Sequence, residues 1–244
     1  RTILSLYEDE LNNLWLGHNN GIAYVELGSP FTIINEQSGL PGTGYTAFLD
    51  NDKLYLGTNT GLYIRAGDEL KDFSLIENTR GQLYHIGRYN DDLLAGHHNG
   101  ALRINGRSAT RLSTEPGSWV FQVLKGDPAK LIEGTYNGLQ LYEAAQGKWK
   151  LKKKLNGFSE SSRVMAEDPQ GNLWVTHGYK GAFRIKLNTN KDSIEQVSYY
   201  GTEKGFPSAH LINVFKIRNE LLFTAENGVY KYDAITDRFV PDDL

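Results

Sequence analysis

Residues Leu14–Ile22 read LWLGHNNGI, and five later stretches of the chain are variants of the same phrase. They are LYLGTNTGL at Leu54–Leu62, LLAGHHNGA at Leu93–Ala101, LIEGTYNGL at Leu131–Leu139, LWVTHGYKGA at Leu173–Ala182 and LLFTAENGV at Leu221–Val229. The last glycines of the six phrases are spaced by 40, 39, 38, 43 and 47 residues. A period in this range is the sequence signature of a repeat architecture.

Each phrase joins a short apolar run to a second one through a polar residue and glycine. Asn-Gly accepts positive φ at both centres of a tight turn, so each copy is expected to contain a β-hairpin. A further strand is expected upstream, at Ile3–Tyr7, Tyr45–Leu49, Tyr84–Tyr89, Val120–Leu124, Arg163–Glu167 and Ile212–Ile217. A weaker fourth strand is expected downstream, at Phe31–Asn35, Phe73–Glu77, Lys148–Leu155, Glu195–Tyr200 and Arg238–Val240.

Four strands in about 40 residues are typical of one propeller blade. The predicted fold class is therefore all-β, a β-propeller with six four-stranded blades detected. The blades are expected at about 1–40, 41–80, 81–117, 118–158, 159–207 and 208–244, in a single propeller over 1–244. All blades run in phase from first to fourth strand, which leaves open both a six-bladed ring and a fragment of a larger ring.

Composition limits the class of partner. The chain has 244 residues, a formal net charge of −3 and no cysteine. The absence of a positive global charge argues against nucleic acid as a partner of this segment, and no stretch approaches the length of an apolar membrane span. Without cysteine there is no disulfide or thiolate chemistry. Because Arg1 opens directly in an apolar run, we expect a mature or excised piece of a protein.

In a propeller, the hairpin turns and the connectors between blades emerge on one face, here called the rim. Loops on a rigid scaffold commonly carry recognition. Amides and aromatic rings suit sugar hydroxyls and C–H faces, so a neutral polar ligand is expected. The alternative is that Asn provides positive φ and that Thr or His fills the strand end. The candidate ligand-binding residues are His18, Asn20, Tyr45, Asn59, His97, His98, Trp119, Tyr136, Tyr179 and Lys180.

Other features are expected to be structural. His18, His97 and His177 come from alternate blades, which would spread them around a ring, so neither a metal nor another cofactor is predicted. Trp15 and Trp174 lie in mid-strand and are expected to pack in the core. Lys148–Leu155, KWKLKKKL, is expected to be an outer strand with one lysine-rich face and one buried face.

Two phrases carry a family resemblance. EDELNNLWLGHNNG at Glu8–Gly21 and EDPQGNLWVTHGYKG at Glu167–Gly181 resemble the two-component regulator propeller repeat, which reads roughly E-D-x-x-G-x-L-W-I-G-T-x-x-G-L. The connectors SGLPGTGYT at Ser38–Thr46 and KGFPSAH at Lys204–His210 are similar to that family's G-L-P-S-N link. The resemblance covers nearly the whole chain and is strongest in blades one, two and five.

The resemblance implies a periplasmic sensor module of a membrane-anchored bacterial regulator. Such propellers commonly form seven-bladed rings, and many resemble glycan sensors of Bacteroidetes. The implied partners are an oligosaccharide or small polar ligand, adjacent domains of the same regulator, and a second copy in a homodimer. Thr176 and Ala225 depart from the glycine or threonine of the usual repeat, which affects the expected loop geometry.

Two other function classes remain open at this point. A glycan-cleaving enzyme would need two carboxylates in one cleft, whereas the acidic clusters fall in turns expected on the face opposite the rim. We therefore predict a protein that is not an enzyme. The second alternative is a structural ring that binds or dimerises through its blade edges.

Overall fold

The computed structural model of the protein describes residues 2–29, 31, 33–66 and 73–243. The strands in these residues are β1 (Ile3–Glu8), β2 (Leu14–His18), β3 (Gly21–Val25), β4 (Gly44–Asp50), β5 (Lys53–Thr58), β6 (Leu62–Ala66), β7 (Ser74–Leu75), β8 (Leu83–Tyr89), β9 (Asp92–His97), β10 (Gly100–Asn105), β11 (Ser108–Arg111), β12 (Val120–Leu124), β13 (Asp127–Thr135), β14 (Gly138–Ala145), β15 (Lys148–Leu155), β16 (Val164–Glu167), β17 (Leu173–His177), β18 (Gly181–Leu187), β19 (Ile194–Tyr200), β20 (Asn213–Ile217), β21 (Glu220–Ala225), β22 (Gly228–Asp233) and β23 (Arg238–Asp242). Two single-turn 3-10 helices lie at Glu36–Ser38 and Thr202–Lys204.

Consecutive strands form antiparallel meanders. The first sheet contains β1–β3, and the second to sixth sheets contain β4–β7, β8–β11, β12–β15, β16–β19 and β20–β23. Each sheet lies within one predicted blade range, so the all-β class and the assignment of one sheet to each repeat are confirmed. None of the helices in the part of the chain that the structure describes has the length and apolar character needed to cross a membrane.

The chain divides into two compact units, residues 1–40 and residues 41–244. The first unit holds the three-stranded first sheet, and the second unit holds the five four-stranded sheets. A single propeller spanning both units stays a prediction. The expected fourth strand of blade one, Phe31–Asn35, is not formed by the residues described there; Thr32 lies outside the described residues.

In the second unit, the apolar cores lie between neighbouring sheets. Adjacent residues of one strand point to opposite faces, so Leu93 packs against the second sheet and Leu94 against the fourth. Likewise, Leu173 joins the core shared with the fourth sheet, and Trp174 joins the core shared with the sixth. This double burial explains why the middle strands are apolar on both faces. The first strands β4, β8, β12, β16 and β20 are neighbours in that order.

The hairpin turns differ from the predicted geometry. Gly100 pairs with His97, so the turn is formed by His98 and Asn99, and only Gly100 has a positive φ, of 114°. The expectation that Asn-Gly occupies both turn centres is therefore wrong. In a hairpin of this kind only the residue after the two turn residues has a positive φ, so glycine is needed only at that residue. Turns with two consecutive positive φ values do occur, but they lie elsewhere, at Asn51–Asp52, Gln146–Gly147 and Arg218–Asn219.

Two packing expectations are corrected in part. Trp174 is 1% exposed, as predicted, whereas Trp15 is 41% exposed in the first unit. Strand β15 has the predicted bounds, and Trp149 and Leu155 are buried, but Leu151 is 40% exposed. A bulge explains this: Tyr142 pairs with Leu151 and Leu141 with Lys153, which interrupts the alternation between the two faces.

Candidate ligand-binding site

In the second unit, hairpin turns and connectors are hydrogen-bonded to one another. The Gly117 N–H, in the connector to the fourth sheet, donates to the carbonyl of His98 in the β9–β10 turn at 2.8 Å. The His98 N–H donates to the carbonyl of Gln82, in the preceding connector, at 3.0 Å. These bonds place turns and connectors on one face of this unit, the rim.

In four sheets, one large side chain lies at or just before the start of the first strand, at an equivalent place on the rim. In each sheet, the next residue along the chain belongs to the first strand and pairs with a residue of the repeated phrase. The pairs are Thr46–Gly57, His85–Gly96, Val120–Gly134 and Val164–Thr176. The four side chains, here called the inner row, are Tyr45, Tyr84, Trp119 and Arg163. Register shifts at Tyr45 and Tyr84 take these two residues out of regular pairing, and such a bulge re-aims a side chain.

The inner row is a continuous stack across the second to fifth sheets. The rings of Tyr84 and Trp119 are 4.0 Å apart between centroids and inclined by 30°. The guanidinium carbon of Arg163 lies 5.2 Å from the Trp119 centroid, and Tyr45 meets Tyr84 edge-on at 5.7 Å. Because Tyr84 and Arg163 come from the sheets on either side of Trp119, they cover its two faces. The surface left accessible consists of ring edges, the Arg163 guanidinium and the Tyr45 ring, which is 46% exposed.

Tyr136, in the β13–β14 turn, lies across this stack. Its ring is 5.3 Å from that of Trp119 in an edge-on arrangement, and its hydroxyl is 2.6 Å from that of Tyr84. Gly117 lies directly beneath the Tyr136 ring, with φ of 77°, and a Cβ there would overlap the ring. Glycine is therefore required at 117 both by the backbone conformation and by the ring above it.

Hydrogen bonds keep the Tyr84 hydroxyl neutral. It donates to the Gln82 side-chain oxygen and thus accepts from Tyr136. Burial and the hydrogen bond with Tyr136 raise the pKa of Tyr84 well above its usual value. The Trp119 indole N–H donates to the Ser161 hydroxyl at 3.1 Å. The polar atoms of Tyr84 and Trp119 are thereby held in fixed positions before any ligand arrives.

A cavity of about 290 Å³ adjoins the Arg163 end of the row. It lies among the fourth, fifth and sixth sheets. Its lining residues are Trp119, Ser161, Arg163, Val164, Thr176, His177, Gly178, Tyr179, Leu211 and Asn213. The lining thus combines a tryptophan and a tyrosine with hydroxyl, amide, imidazole and guanidinium groups, a mixture typical of sites for polar ligands.

Two polar groups of this cavity have unused bonding capacity. Thr176 is 2% exposed, and its hydroxyl has no hydrogen-bond partner among the described residues. Arg163 is exposed and belongs to none of the ion pairs of the described residues. Buried polar atoms are nearly always satisfied by protein, water or ligand, so the Thr176 hydroxyl is an exception. The exposed Arg163 guanidinium leaves its N–H groups available to a polar molecule in the cavity.

His177 and Tyr179 form the turn at the mouth of the cavity. The Nδ1 atom of His177 accepts the Tyr179 N–H at 3.1 Å, and burial lowers the pKa of His177, partly opposed by the charge of Glu160. The Tyr179 ring is largely exposed and lies 6.4 Å from the His177 ring. Lys180, in the same turn, is paired with Glu160 at 2.7 Å.

Three other predicted residues of the second unit act within the rim itself. The Asn59 side-chain oxygen accepts the Thr43 N–H at 2.8 Å, and His98 Nδ1 accepts the Gln82 N–H at 3.1 Å. His97 is buried; its Nδ1 accepts the Asn99 N–H, and burial lowers its pKa to about 4. These polar atoms fix the rim loops and lie apart from the inner row.

The strand-end position of the repeat has a common role. The side chain there accepts an N–H two residues later, through Thr58, His97, Thr135 and His177. Threonine and histidine are therefore interchangeable turn acceptors at this position. Among the described residues, no three His, Asp or Glu side chains are grouped closely enough to ligate one metal ion.

His18 and Asn20 belong to the first unit. His18 Nδ1 lies 3.3 Å from the carbonyl of Thr2, and Asn20 is exposed in the β2–β3 turn. The structure therefore brings together Tyr45, Trp119 and Tyr136 at the inner row, with Tyr179 beside the adjoining cavity.

The sequence prediction missed Tyr84 and Arg163. Both lie outside the repeated phrase: Tyr84 is the second residue of β8, and Arg163 directly precedes β16. Tyr45 and Tyr84 both stand 16 residues before the last glycine of their phrases, but Trp119 and Arg163 stand 19 and 18 residues before theirs, so spacing alone does not align the four.

The acidic turns serve other contacts. Asp50 pairs with Arg88, and Asp92 accepts from Arg103 and from the Trp149 N–H. These carboxylates lie in or beside the turns between first and second strands, away from the inner row.

Comparisons with known proteins agree on the fold. A structure of the extracellular domain of a hybrid two component system from B. thetaiotaomicron is similar, with a TM-score of 0.73 and 17% identity, covering 98% of this chain and 34% of that one. The WD40 β-propeller domain of Doa1 has a TM-score of 0.53 and 14% identity, with 92% and 79% covered. Virginiamycin B lyase from Staphylococcus aureus has a TM-score of 0.55 and 11% identity, with 98% and 82% covered.

These similarities confirm the predicted propeller fold, and at such identities they show the fold alone. The chain spans about a third of the length of the B. thetaiotaomicron structure, 34%. No protein-family model matches the sequence, and no curated protein does either.

Proposed function

We propose that this chain is an extracytoplasmic recognition module of a bacterial signal-transduction regulator, and that it binds a glycan or another small polar ligand on its rim. The observation that carries the proposal is the inner row, Tyr45, Tyr84, Trp119 and Arg163, which lies beside a cavity with unsatisfied polar groups.

The chemistry of the row suits a carbohydrate. Aromatic rings offer apolar surface to the C–H faces of a sugar, and their polar ends form hydrogen bonds. The exposed rings of Tyr45 and Tyr179 lie at the two ends of the site, next to hydroxyl and amide groups. Since the polar atoms of Tyr84 and Trp119 are already fixed by internal hydrogen bonds, ordering of these side chains costs little on binding.

The similarity to the extracellular domain of a B. thetaiotaomicron hybrid two component system supports a sensor role and a periplasmic location. That structure is about three times as long as the matched region, which supports adjacent domains of the same regulator as the partners of this module.

Recognition is favoured over catalysis by the use of the carboxylates. Hydrolysis of a glycoside needs two carboxylates in one cleft. Asp50, Asp92 and Asp168 are instead held by internal ion pairs and hydrogen bonds, away from the inner row. The propeller fold shared with a lyase does not assign its activity to this chain.

Thermal unfolding with a panel of neutral oligosaccharides tests the proposal, because a ligand that binds the native state raises the melting temperature with concentration. We expect Tyr45→Ala to weaken binding at least about tenfold, in line with the loss of an anchoring aromatic. Tyr199→Ala is the matched control: Tyr199 is 45% exposed, as against 46% for Tyr45, but lies on the outer strand β19.

A saturable shift that Tyr45→Ala weakens and Tyr199→Ala preserves would support the inner row as the ligand site. A shift lowered equally by both variants would move the site away from the row. The absence of a shift with every oligosaccharide and small polar ligand would contradict the proposal.

Protein association is a second candidate function, favoured by exposed apolar side chains on the sixth sheet. Phe215, Leu222, Lys231 and Val240 pair in one row across β20–β23, on the face away from the Phe223 core. Phe215 is 49% exposed. A homodimer through this face would be weakened by Phe215→Lys, and sedimentation velocity at increasing concentration measures that change. A monomer at all concentrations would contradict this second function.

A further inference from the structure

We propose that the cavity at the Arg163 end of the inner row binds an anionic group, and that the ligand is therefore an acidic carbohydrate. This inference rests on the proposed function and narrows its ligand class. The shared chemistry is a carboxylate or sulfate carried on a sugar ring.

The first observation is an arginine with free donors. Stacking against Trp119 fixes the plane of the Arg163 guanidinium, while its N–H groups lie at the edge of that plane and stay available. Arg163 is exposed and takes part in none of the ion pairs of the described residues. A planar guanidinium with free N–H groups matches the two oxygens of a carboxylate or sulfate.

The second observation is the charge balance. None of the residues lining this cavity is acidic. Glu160, in the adjoining connector, is paired with Lys180 at 2.7 Å. An anion entering the cavity therefore meets the Arg163 guanidinium without a competing carboxylate in the lining.

The adjacent aromatic surface identifies the rest of the ligand. A free inorganic anion would use only Arg163, whereas a sugar ring attached to the anion also covers the edges of Tyr84 and Tyr136. We therefore expect an acidic oligosaccharide to bind more tightly than either its neutral analogue or inorganic sulfate.

The test compares trigalacturonic acid with its methyl ester by calorimetry on the 244-residue chain. Since hydrogen bonds to charged groups are the strong ones, we expect the acid to bind about tenfold to a hundredfold more tightly than the ester. A sulfated chondroitin disaccharide and its unsulfated form make the second arm. The Trp119 indole N–H resonance, assigned with Trp119→Phe, reports binding independently of heat.

Variants assign the effect to the cavity. Arg163→Gln should abolish the preference for the acid over the ester. Arg111→Gln is the matched control, because Arg111 lies on the rim in a separate cavity, where it donates to the Asn99 carbonyl.

The outcomes separate the two proposals. A preference for the carboxylate or the sulfate form that Arg163→Gln removes and Arg111→Gln preserves supports the anion site and identifies the group. Equal binding of charged and neutral forms overturns the anion site and leaves the proposed function standing. If neutral and acidic oligosaccharides all fail to shift the Trp119 resonance, both proposals are overturned.

Discussion

The same turn occurs in both units of the chain with different surroundings. Asp9 accepts N–H bonds from Leu11, Asn13 and the Trp15 indole, and Asp168 accepts the equivalent bonds from Gln170, Asn172 and the Trp174 indole. Yet Trp15 is 41% exposed and Trp174 only 1%. The repeated sequence therefore encodes the hydrogen bonds of the turn, whereas burial requires a neighbouring sheet.

Trp174 is buried between the fifth and sixth sheets. Trp174 is enclosed by Tyr200 of its own sheet and by Phe223, Tyr232 and Phe239 of the sixth. Trp15 contacts Tyr24 within the first sheet, at 4.7 Å between centroids. Identical local structure should therefore carry very different stability in the two units, and the following predictions test that difference.

The largest expected effect is at the tryptophans. Trp174→Ala should destabilise the second unit by about 3–5 kcal/mol, the usual range for removing a buried aromatic side chain. Trp15→Ala should cost clearly less, because much of that side chain already contacts solvent. Equilibrium urea unfolding, followed by circular dichroism, measures both losses. Equal losses would show that burial is not what distinguishes the two turns.

The next effect is a pH dependence of opposite sign in the two units. Burial raises the pKa of Glu133 from 4.5 to about 7, although the Tyr142 hydroxyl donates to it at 2.6 Å. Folding therefore favours the protonated form of the Glu133 carboxyl group. The stability it contributes is complete below about pH 4.5 and is lost as the pH rises to about 7, a change of about 3 kcal/mol.

Asp9 behaves in the opposite way. The N–H bond from Asn13 and the bond from the Trp15 indole hold its pKa below 3.8, so its contribution is present above the ordinary aspartate pKa and is lost on acidification. Urea unfolding between pH 4.5 and 7.5 should show stability falling with pH in the second unit, and Glu133→Gln should remove that fall. An unchanged slope in Glu133→Gln would contradict the assignment.

The smallest effect is at the hairpin glycines. Gly21 and Gly100 occupy the same position of the repeat, with φ of 147° and 114°. A Cβ at Gly100 would overlap the carbonyl of Ser113, whereas a Cβ at Gly21 would meet open space. Gly100→Ala should therefore cost about 2 kcal/mol more than Gly21→Ala. Thermal unfolding of the two variants measures this, and similar melting temperatures would argue against the close contact between the Gly100 turn and the connector at Ser113.

Much of the fold could be predicted from the repeat, because hairpins and strand alternation are local properties. Strand β15 was placed correctly by its alternating lysines, but the exposure of Leu151 depends on a bulge against β14 that its own sequence does not show. The exposure of Trp15 could not be predicted from the sequence pattern either, because its phrase is nearly the same as that of Trp174.

The candidate site was only partly predictable. Tyr45, Trp119 and Tyr136 were expected at the rim from their positions before strands or in turns. Tyr84 and Arg163 were missed because the stack joins four sheets, and contacts between sheets follow from the arrangement of blades. Histidines of the phrase were considered as ligand contacts, but His97 and His177 accept N–H bonds within their own turns.

The central claim is that the rim at the inner row binds the ligand, and hydrogen–deuterium exchange of the chain with a saturating oligosaccharide tests it most directly. We expect slower exchange at residues 43–46, 82–85, 117–120 and 161–164, and no change at the acidic turns 50–53 and 90–92 on the opposite face. Protection at those acidic turns, with the inner-row segments unchanged, would contradict it.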